Sequence, residues 1–166
     1  MDKGMFLPDD LIINLIDERI KEPDCQNGFI LDGFPRTVKQ AQGLDTILAK
    51  RGLTLDLVIE IIVDEPELIQ RLSQRVTCAQ CGAIYHEQSN RPQHKNQCDV
   101  CGAEKLQRRS DDNSETIKTR LDQYREQTAP ILPYYDTKNM LKSIDGMTTI
   151  ENVKHQINEI LLNQTR

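Results

Sequence analysis

Tryptophan is absent from this 166-residue chain, and phenylalanine and tyrosine together supply only seven aromatic rings. A core with so few large rings must rest on aliphatic side chains. Apolar residues make up 37%, enough for one ordinary domain or one domain with a small insertion. No apolar run approaches the roughly eighteen residues of a membrane-spanning helix, so none is expected. An excess of positive charge is also lacking. The formal charge is −5, which argues against nonspecific nucleic-acid binding by the whole chain. Met1-Asp2-Lys3-Gly4 lacks the apolar stretch of a secretory signal, so a reducing cytoplasm is the expected setting. Internal repeats and low-complexity tracts are missing too.

What is present is a cysteine pattern. Cys78-Ala-Gln-Cys81 and Cys98-Asp-Val-Cys101 are two Cys-x-x-Cys pairs with sixteen residues between them, each followed by a glycine, Gly82 and Gly102. One tight turn offers both sulfurs of such a pair to a tetrahedral ion with bonds of about 2.3 Å. The spacing points to a structural zinc site with Cys78, Cys81, Cys98 and Cys101 as ligands. Four thiolates close the site, so the metal would not be catalytic. Two disulfides are the competing reading, but an odd count of five cysteines in a reducing setting argues against them. Iron is the other ion suited to four sulfurs. His86 and His94 are not needed as ligands, His155 reads as solvated, and Cys25 reads as a plain buried thiol.

Helix and strand alternate along the rest. Apolar spacing predicts a helix over residues 9–21, stopped by Pro23. Phe29-Ile30-Leu31 reads as a short buried strand ending at Asp32. A helix is expected from Thr37 to about Lys50, then a strand over Leu57 to Val63. Asp64 reads as the N-cap of a helix over 66–75, with Pro66 in its first turn and Glu67 at the capping-box position. Beyond the cysteines, Ser114 or Asn113 caps a helix through Gln127, interrupted by Pro130 and Pro133. Leu141 to Ile144 is a third strand. Thr149 caps a last helix with Ile150, Val153, Ile157, Ile160 and Leu161 on one face. This alternation predicts an α/β fold with a parallel sheet covered by helices on both sides, interrupted by a cysteine module at roughly 77–110 that acts as a lid.

The chemistry concentrates in Gly28-Phe29-Ile30-Leu31-Asp32-Gly33-Phe34-Pro35-Arg36-Thr37. A strand delivers an acid, a glycine, a proline and an arginine to its carboxyl end, the edge where parallel sheets bind ligands. The arginine fork suits phosphate oxygens, and the acid could hold magnesium through water. The plainer reading is a strand-to-helix turn with a surface arginine. Arg71 and Arg75, four apart on the predicted helix, share a face. With Arg109 and Arg120 they bracket the module. Each alone reads as a surface charge, but together they suggest a cage for several phosphates. Residues 75–109 carry six Lys/Arg against three Asp/Glu, a local +3 on a remainder of −8. Asp111 and Asp112 either orient those arginines or cap the next helix.

With these residues in view, the chain resembles the adenylate kinase family, in its bacterial zinc-lid branch, over essentially its whole length. The resemblance is carried by Asp32-Gly33-Phe34-Pro35-Arg36-Thr37, then Gln40, Arg71 and Arg75, the two cysteine pairs with Ile84-Tyr85-His86, then Arg109-Ser110-Asp111-Asp112 and Arg120. It implies a nucleoside monophosphate kinase that exchanges a phosphoryl group between MgATP and AMP, giving two ADP. It also implies domains: 1–21 from the AMP-binding region, 22–76 with 111–166 as the core, and 77–110 as the zinc lid. The implied AMP site comprises Met5, Phe6, Leu7, Gly33, Phe34, Pro35, Arg36, Gln40, Arg109 and Arg120, with Arg36 on the phosphate and Gln40 on the base. The implied ATP site comprises Arg71, Arg75, Ile84, Tyr85 and Thr148. Arg36, Arg75, Arg109 and Arg120 would serve the transferring group, and Asp32 would act through magnesium-bound water. Zinc is implied as structural and magnesium as the partner of ATP, in a cytoplasmic monomer without nucleic-acid or membrane partners.

The resemblance also implies a first strand and a glycine-rich phosphate loop bearing lysine. No G-x-x-x-x-G-K-[ST] occurs in the sequence. The chain therefore reads as N-terminally truncated, with its first strand missing, and is expected to be a poor kinase alone. Two other classes stand beside this reading. One is a nucleotide-binding fragment without catalysis. The other is a zinc-ribbon binding module, for which Ala79, Gln80, Asp99 and Val100 make a poor nucleic-acid surface.

Overall fold

The computed structural model describes residues 7–87 and 89–164. In chain order the elements are α1 (Asp9–Arg19), a 3-10 turn (Pro23–Cys25), α2 (Val38–Lys50), β1 (Val58–Ile62), α3 (Glu65–Ser73), β2 (Arg75–Cys78), β3 (Ile84–His86), β4 (Leu106–Gln107), α4 (Ser114–Gln123), a π-helical turn (Tyr124–Thr128), α5 (Ile131–Asp136), β5 (Leu141–Asp145) and α6 (Ile150–Gln164). The chain forms two compact units. One is Val63–Leu121; the other joins the described residues up to Ile62 to those from Asp122 on.

The second unit is the α/β body. β1 and β5 pair in parallel, in register from Val58 with Leu141 to Ile62 with Asp145, and α2, α5 and α6 flank them. Thr37 starts α2 because its hydroxyl accepts the Gln40 backbone N–H at 3.1 Å, the bond an N-cap makes. Ile20, Leu44, Ile47 and Leu48 form one buried cluster; Ala41, Ile131 and Tyr135 form a second. Between α1 and α2 the approach is close. A Cβ at Gly43 would lie 2.6 Å from Ile13 Cδ1, which explains a glycine inside a helix despite its propensity penalty of about 1 kcal/mol.

Several expectations need correction. Phe29-Ile30-Leu31 is not a strand: it runs as unpaired extended chain, with Phe29 and Leu31 packed on the first core cluster and Ile30 92% exposed. The side chains alternate as a strand's would, but among the described residues no neighbour supplies backbone bonds. The sheet of this body therefore has two paired strands, not three. The helix before the cysteines stops at Ser73 and does not reach Arg75. Val76 and Thr77, both β-branched, are drawn with Arg75 into β2. The helix after the cysteines ends at Gln123, and a π turn occupies Tyr124–Thr128. On the last helix, Ile150 and Leu161 are exposed.

The unit Val63–Leu121 is built around an antiparallel sheet in the order β3-β2-β4, with Val76 opposite Tyr85 and Cys78 opposite Leu106. Its buried cluster is Cys78, Tyr85 and Cys98, with Val76, Ala83, Ala103 and Leu106 packed around it.

Leu44 is 1% exposed and Ile30 92% exposed, so the same loss of apolar bulk has opposite consequences. In urea unfolding, Leu44→Ala is expected to lower stability by about 2–5 kcal/mol. Ile30→Ser is expected to stay within about 0.5 kcal/mol.

Candidate functional site

The two cysteine pairs fold as near-copies of each other. The N–H of Gly82 returns to the carbonyl of Cys78 at 2.9 Å, and that of Gly102 to Cys98 at 2.8 Å. Cys78 N–H donates to Ala83, and Cys98 N–H to Ala103, both at 2.9 Å. Gly82 and Gly102 carry φ of 76° and 72°, a left-handed turn that glycine adopts without steric penalty. The sulfurs converge, with all four within 4.8 Å of one another. Cys78 to Cys101 is 3.7 Å and Cys81 to Cys98 is 3.5 Å. A tetrahedron with metal–sulfur bonds of about 2.3 Å has edges of about 3.8 Å, so the donor set fits one ion.

Charge agrees with geometry. The N–H groups of Cys81 and Gln80 hold the Cys78 thiol below its ordinary range. The Tyr85 hydroxyl, with the N–H groups of Cys101 and Val100, draws the Cys98 thiol down to about 6. The Ala83 N–H acts in the same direction on Cys81, but the surrounding sulfurs and burial outweigh it and push that thiol up to about 12. Four sulfurs this close ionise together only beside a cation. Tyr85 is itself buried: its hydroxyl accepts the Asp99 N–H at 2.7 Å and lies 3.4 Å from Cys98 Sγ. Its neighbour Ile84 faces outward, 57% exposed.

In the same unit, Asp112 organises arginines. Its side chain is 1% exposed and takes Arg75 in a two-point grip, Nε to Oδ2 at 2.8 Å and Nη2 to Oδ1 at 2.7 Å. Arg120 Nη1 reaches the same Oδ1 at 3.4 Å and Asp111 Oδ2 at 3.5 Å. Arg109 grips Asp111 with two bonds of 2.8 Å. Arg75, Arg109 and Arg120 therefore stand together on two adjacent carboxylates. The Arg109 guanidinium holds the Asp111 carboxyl below its usual range. With the folded value below the unfolded one, this pairing contributes above the ordinary carboxylate range and fades as acid takes the pH through the folded value. Helix capping is the work of Asn113, whose Oδ1 accepts the Thr116 N–H at 2.9 Å, so Asp111 and Asp112 take the arginine-orienting role. Arg71 pairs with Glu67 at 2.8 Å.

The α/β body holds the other set. At the head of α2, after the cis Phe34–Pro35 bond, Arg36 is fixed at both ends of its backbone. Its N–H donates to Gln40 Oε1 at 2.7 Å, and its carbonyl accepts from the Thr128 hydroxyl at 3.0 Å. The guanidinium Nε rests on the Gly33 carbonyl at 2.7 Å. Gln40, 3% exposed, also donates from Nε2 to Asp9 Oδ1 at 2.8 Å. Asp32 and Gly33 are exposed, Phe34 packs on the core, and Pro35 is half-buried. Thr148 donates its hydroxyl to the Asp145 carbonyl at 3.1 Å. Leu7 is 37% exposed; Met5 and Phe6 lie outside the described residues.

Sequence reasoning missed Asp9 and Thr128, which stabilise Gln40 and Arg36 from 31 and 92 positions away. No local spacing signals such bonds. It also placed Arg71 and Arg75 on one helix face, whereas Arg75 begins β2.

Comparison with known proteins supplies the context. The family described as adenylate kinase matches residues 1–140. The adenylate kinase of Carboxydothermus hydrogenoformans is 52% identical over 161 residues, 97% of this chain and 75% of that protein. That of Rhizobium etli is 46% identical over 97% of this chain and 74% of its own length. The Archaeoglobus fulgidus adenylate kinase is 44% identical, with the same two shares.

Removing the Asp112 carboxylate takes the paired carboxylate from Arg75 and leaves Arg120 with Asp111. Asp112→Ala is expected to destabilise the Val63–Leu121 unit by about 3–5 kcal/mol. Hydrogen exchange on β2 and α4 reads this directly, and unchanged protection there would contradict the assignment.

Proposed function

The chain belongs to the adenylate kinase family, and on that premise we propose that it binds AMP and MgATP for reversible phosphoryl exchange giving two ADP. In this reading an oxygen of the AMP phosphate attacks the terminal phosphorus of ATP, and the bond from that phosphorus to its bridging oxygen breaks. The AMP phosphate is already anionic, so no general base is required. The protein's work is alignment, charge cover and exclusion of water.

The observation that carries the reading is the placement of Arg36 beside Gln40 at the head of α2. A planar fork suited to phosphate stands four residues from an amide suited to a base edge, and the backbone N–H of Arg36 donates to that amide's oxygen. Arg36 takes the AMP phosphate, Gln40 the base, and Gly33, Phe34 and Pro35 border them, with Met5, Phe6 and Leu7 on the nucleoside. Arg75, Arg109 and Arg120 cover the transferring phosphoryl group, with Asp111 and Asp112 setting their orientation. Arg71 and Thr148 take the ATP base. Ile84 offers its exposed side chain to the ribose, while Tyr85 contributes backbone alone, since its ring is buried beside Cys98. Asp32 holds magnesium through bound water. Cys78, Cys81, Cys98 and Cys101 hold one zinc ion, which stiffens the lid and touches no substrate. The working form is a cytoplasmic monomer.

A second reading, nucleotide binding without turnover, is favoured for these 166 residues by the lack of any G-x-x-x-x-G-K-[ST] run. The phosphates of ATP then have arginines but no backbone cradle. In a coupled assay for ADP, the polypeptide as written is expected to turn over far more slowly than the same polypeptide preceded by such a loop and its strand. Equal rates would remove the second reading.

The AMP assignment is tested by calorimetric titration. Arg36→Ala is expected to weaken AMP binding roughly tenfold to a hundredfold, the worth of charge-assisted bonds of about 1.5–3 kcal/mol. An undiminished isotherm would refute it.

A further inference from the structure

A carboxamide is ambiguous as a reader of bases. Its oxygen and nitrogen are nearly alike in size, and a half-turn about the last bond exchanges acceptor for donor. Gln40 has lost that freedom. Its Oε1 accepts from the Arg36 backbone N–H at 2.7 Å, a group that can only donate. Its Nε2 donates to Asp9 Oδ1 at 2.8 Å, and a carboxylate can only accept. A flipped amide would set N–H against N–H at one end and oxygen against oxygen at the other. The Asp9 carboxylate is itself held, because the Thr37 hydroxyl donates to the same Oδ1 at 3.1 Å while accepting the Gln40 backbone N–H. Gln40 is 3% exposed, so water is poorly placed to replace either partner. One hydrogen on Nε2 and one lone pair on Oε1 are left over for a ligand.

We propose that Asp9 is a specificity-determining residue of the AMP site, acting through Gln40 by fixing which end of the amide donates. The inference rests on the reading of Gln40 as the group that meets the base. Adenine offers an amino donor at C6 and an acceptor at N1. Hypoxanthine offers the reverse, a carbonyl at C6 and an N–H at N1. An amide held in one orientation complements the first edge and sets like against like on the second, which is how a site built for one hydrogen-bond pattern rejects another. Asp9 makes no contact with the nucleotide in this account; it is a positioning residue.

The test is a set of calorimetric titrations with AMP and with inosine monophosphate, which carries hypoxanthine. They are run on the zinc-loaded 166-residue chain and on Asp9→Ala, Asp9→Ser and Asp9→Asn. In the alanine and serine variants no acceptor reaches Nε2, and the preference for AMP is expected to fall about tenfold. Asparagine keeps an acceptor oxygen in place, and the preference is expected to stay within about threefold of the parent. Serine is well tolerated at a helix start, so one loss variant remains if the alanine variant does not fold. A purely structural role for Asp9 weakens both nucleotides alike. An unchanged preference in the alanine and serine variants would overturn the proposal and leave the AMP assignment standing. A parent chain that does not favour AMP over inosine monophosphate would overturn both.

Discussion

Four converging sulfurs, those of Cys78 and Cys98 buried and those of Cys81 and Cys101 at the surface, anchor the small buried cluster of the Val63–Leu121 unit. Its buried cluster is two cysteines and the tyrosine that bonds one of them, ringed by a few small or aliphatic side chains. That is too little apolar burial to offset the chain entropy of the unit. A structural zinc ion contributes on the order of 10–16 kcal/mol to small domains of this kind. The proposed metal therefore accounts for the fold of the three-stranded sheet, and the sheet accounts for the position of Arg75 at the start of β2.

In the proposed function, electrostatic preorganisation depends on that scaffold. A guanidinium aimed by a buried carboxylate loses little entropy when a phosphate arrives, and its field is already in place when charge moves. Asp112 performs this for Arg75 and Arg120, and Asp111 for Arg109. In the α/β body the same logic is carried out by neutral groups. Gln40 and Thr128 hold the backbone of Arg36 from opposite ends, while its side chain waits on the Gly33 carbonyl. Arg75, Arg109 and Arg120 are thus held at the guanidinium by carboxylates, and Arg36 is held at its backbone.

What was legible in the sequence is what is local. The cysteine spacing encodes its own turn, and Thr37 caps α2 within three residues. Asp64 takes the N-cap position of α3 with Pro66 in the first turn, but its side chain makes no cap hydrogen bond and Glu67 pairs with Arg71 instead of closing a capping box. Strand pairing is not local. Phe29-Ile30-Leu31 has the composition of a strand, but a strand needs a partner, and composition cannot name one. Helix ends were also hard to read. The apolar pattern ran on to Arg75, whereas pairing with β3, where it stands opposite His86, claimed that residue for the sheet. The burial of Tyr85 was readable in principle: in Ile84-Tyr85-His86 a period of two puts the ring on the face opposite to Ile84. Asp9 and Thr128 were invisible because their partners lie far away in sequence and carry no motif.

The thiolate core is the claim on which the rest stands, and X-ray absorption at the zinc edge of the purified chain tests it most directly. The account predicts one zinc per chain with a shell of four sulfurs at about 2.3 Å. A shell containing nitrogen or oxygen, or a folded chain without a stoichiometric metal, would contradict it.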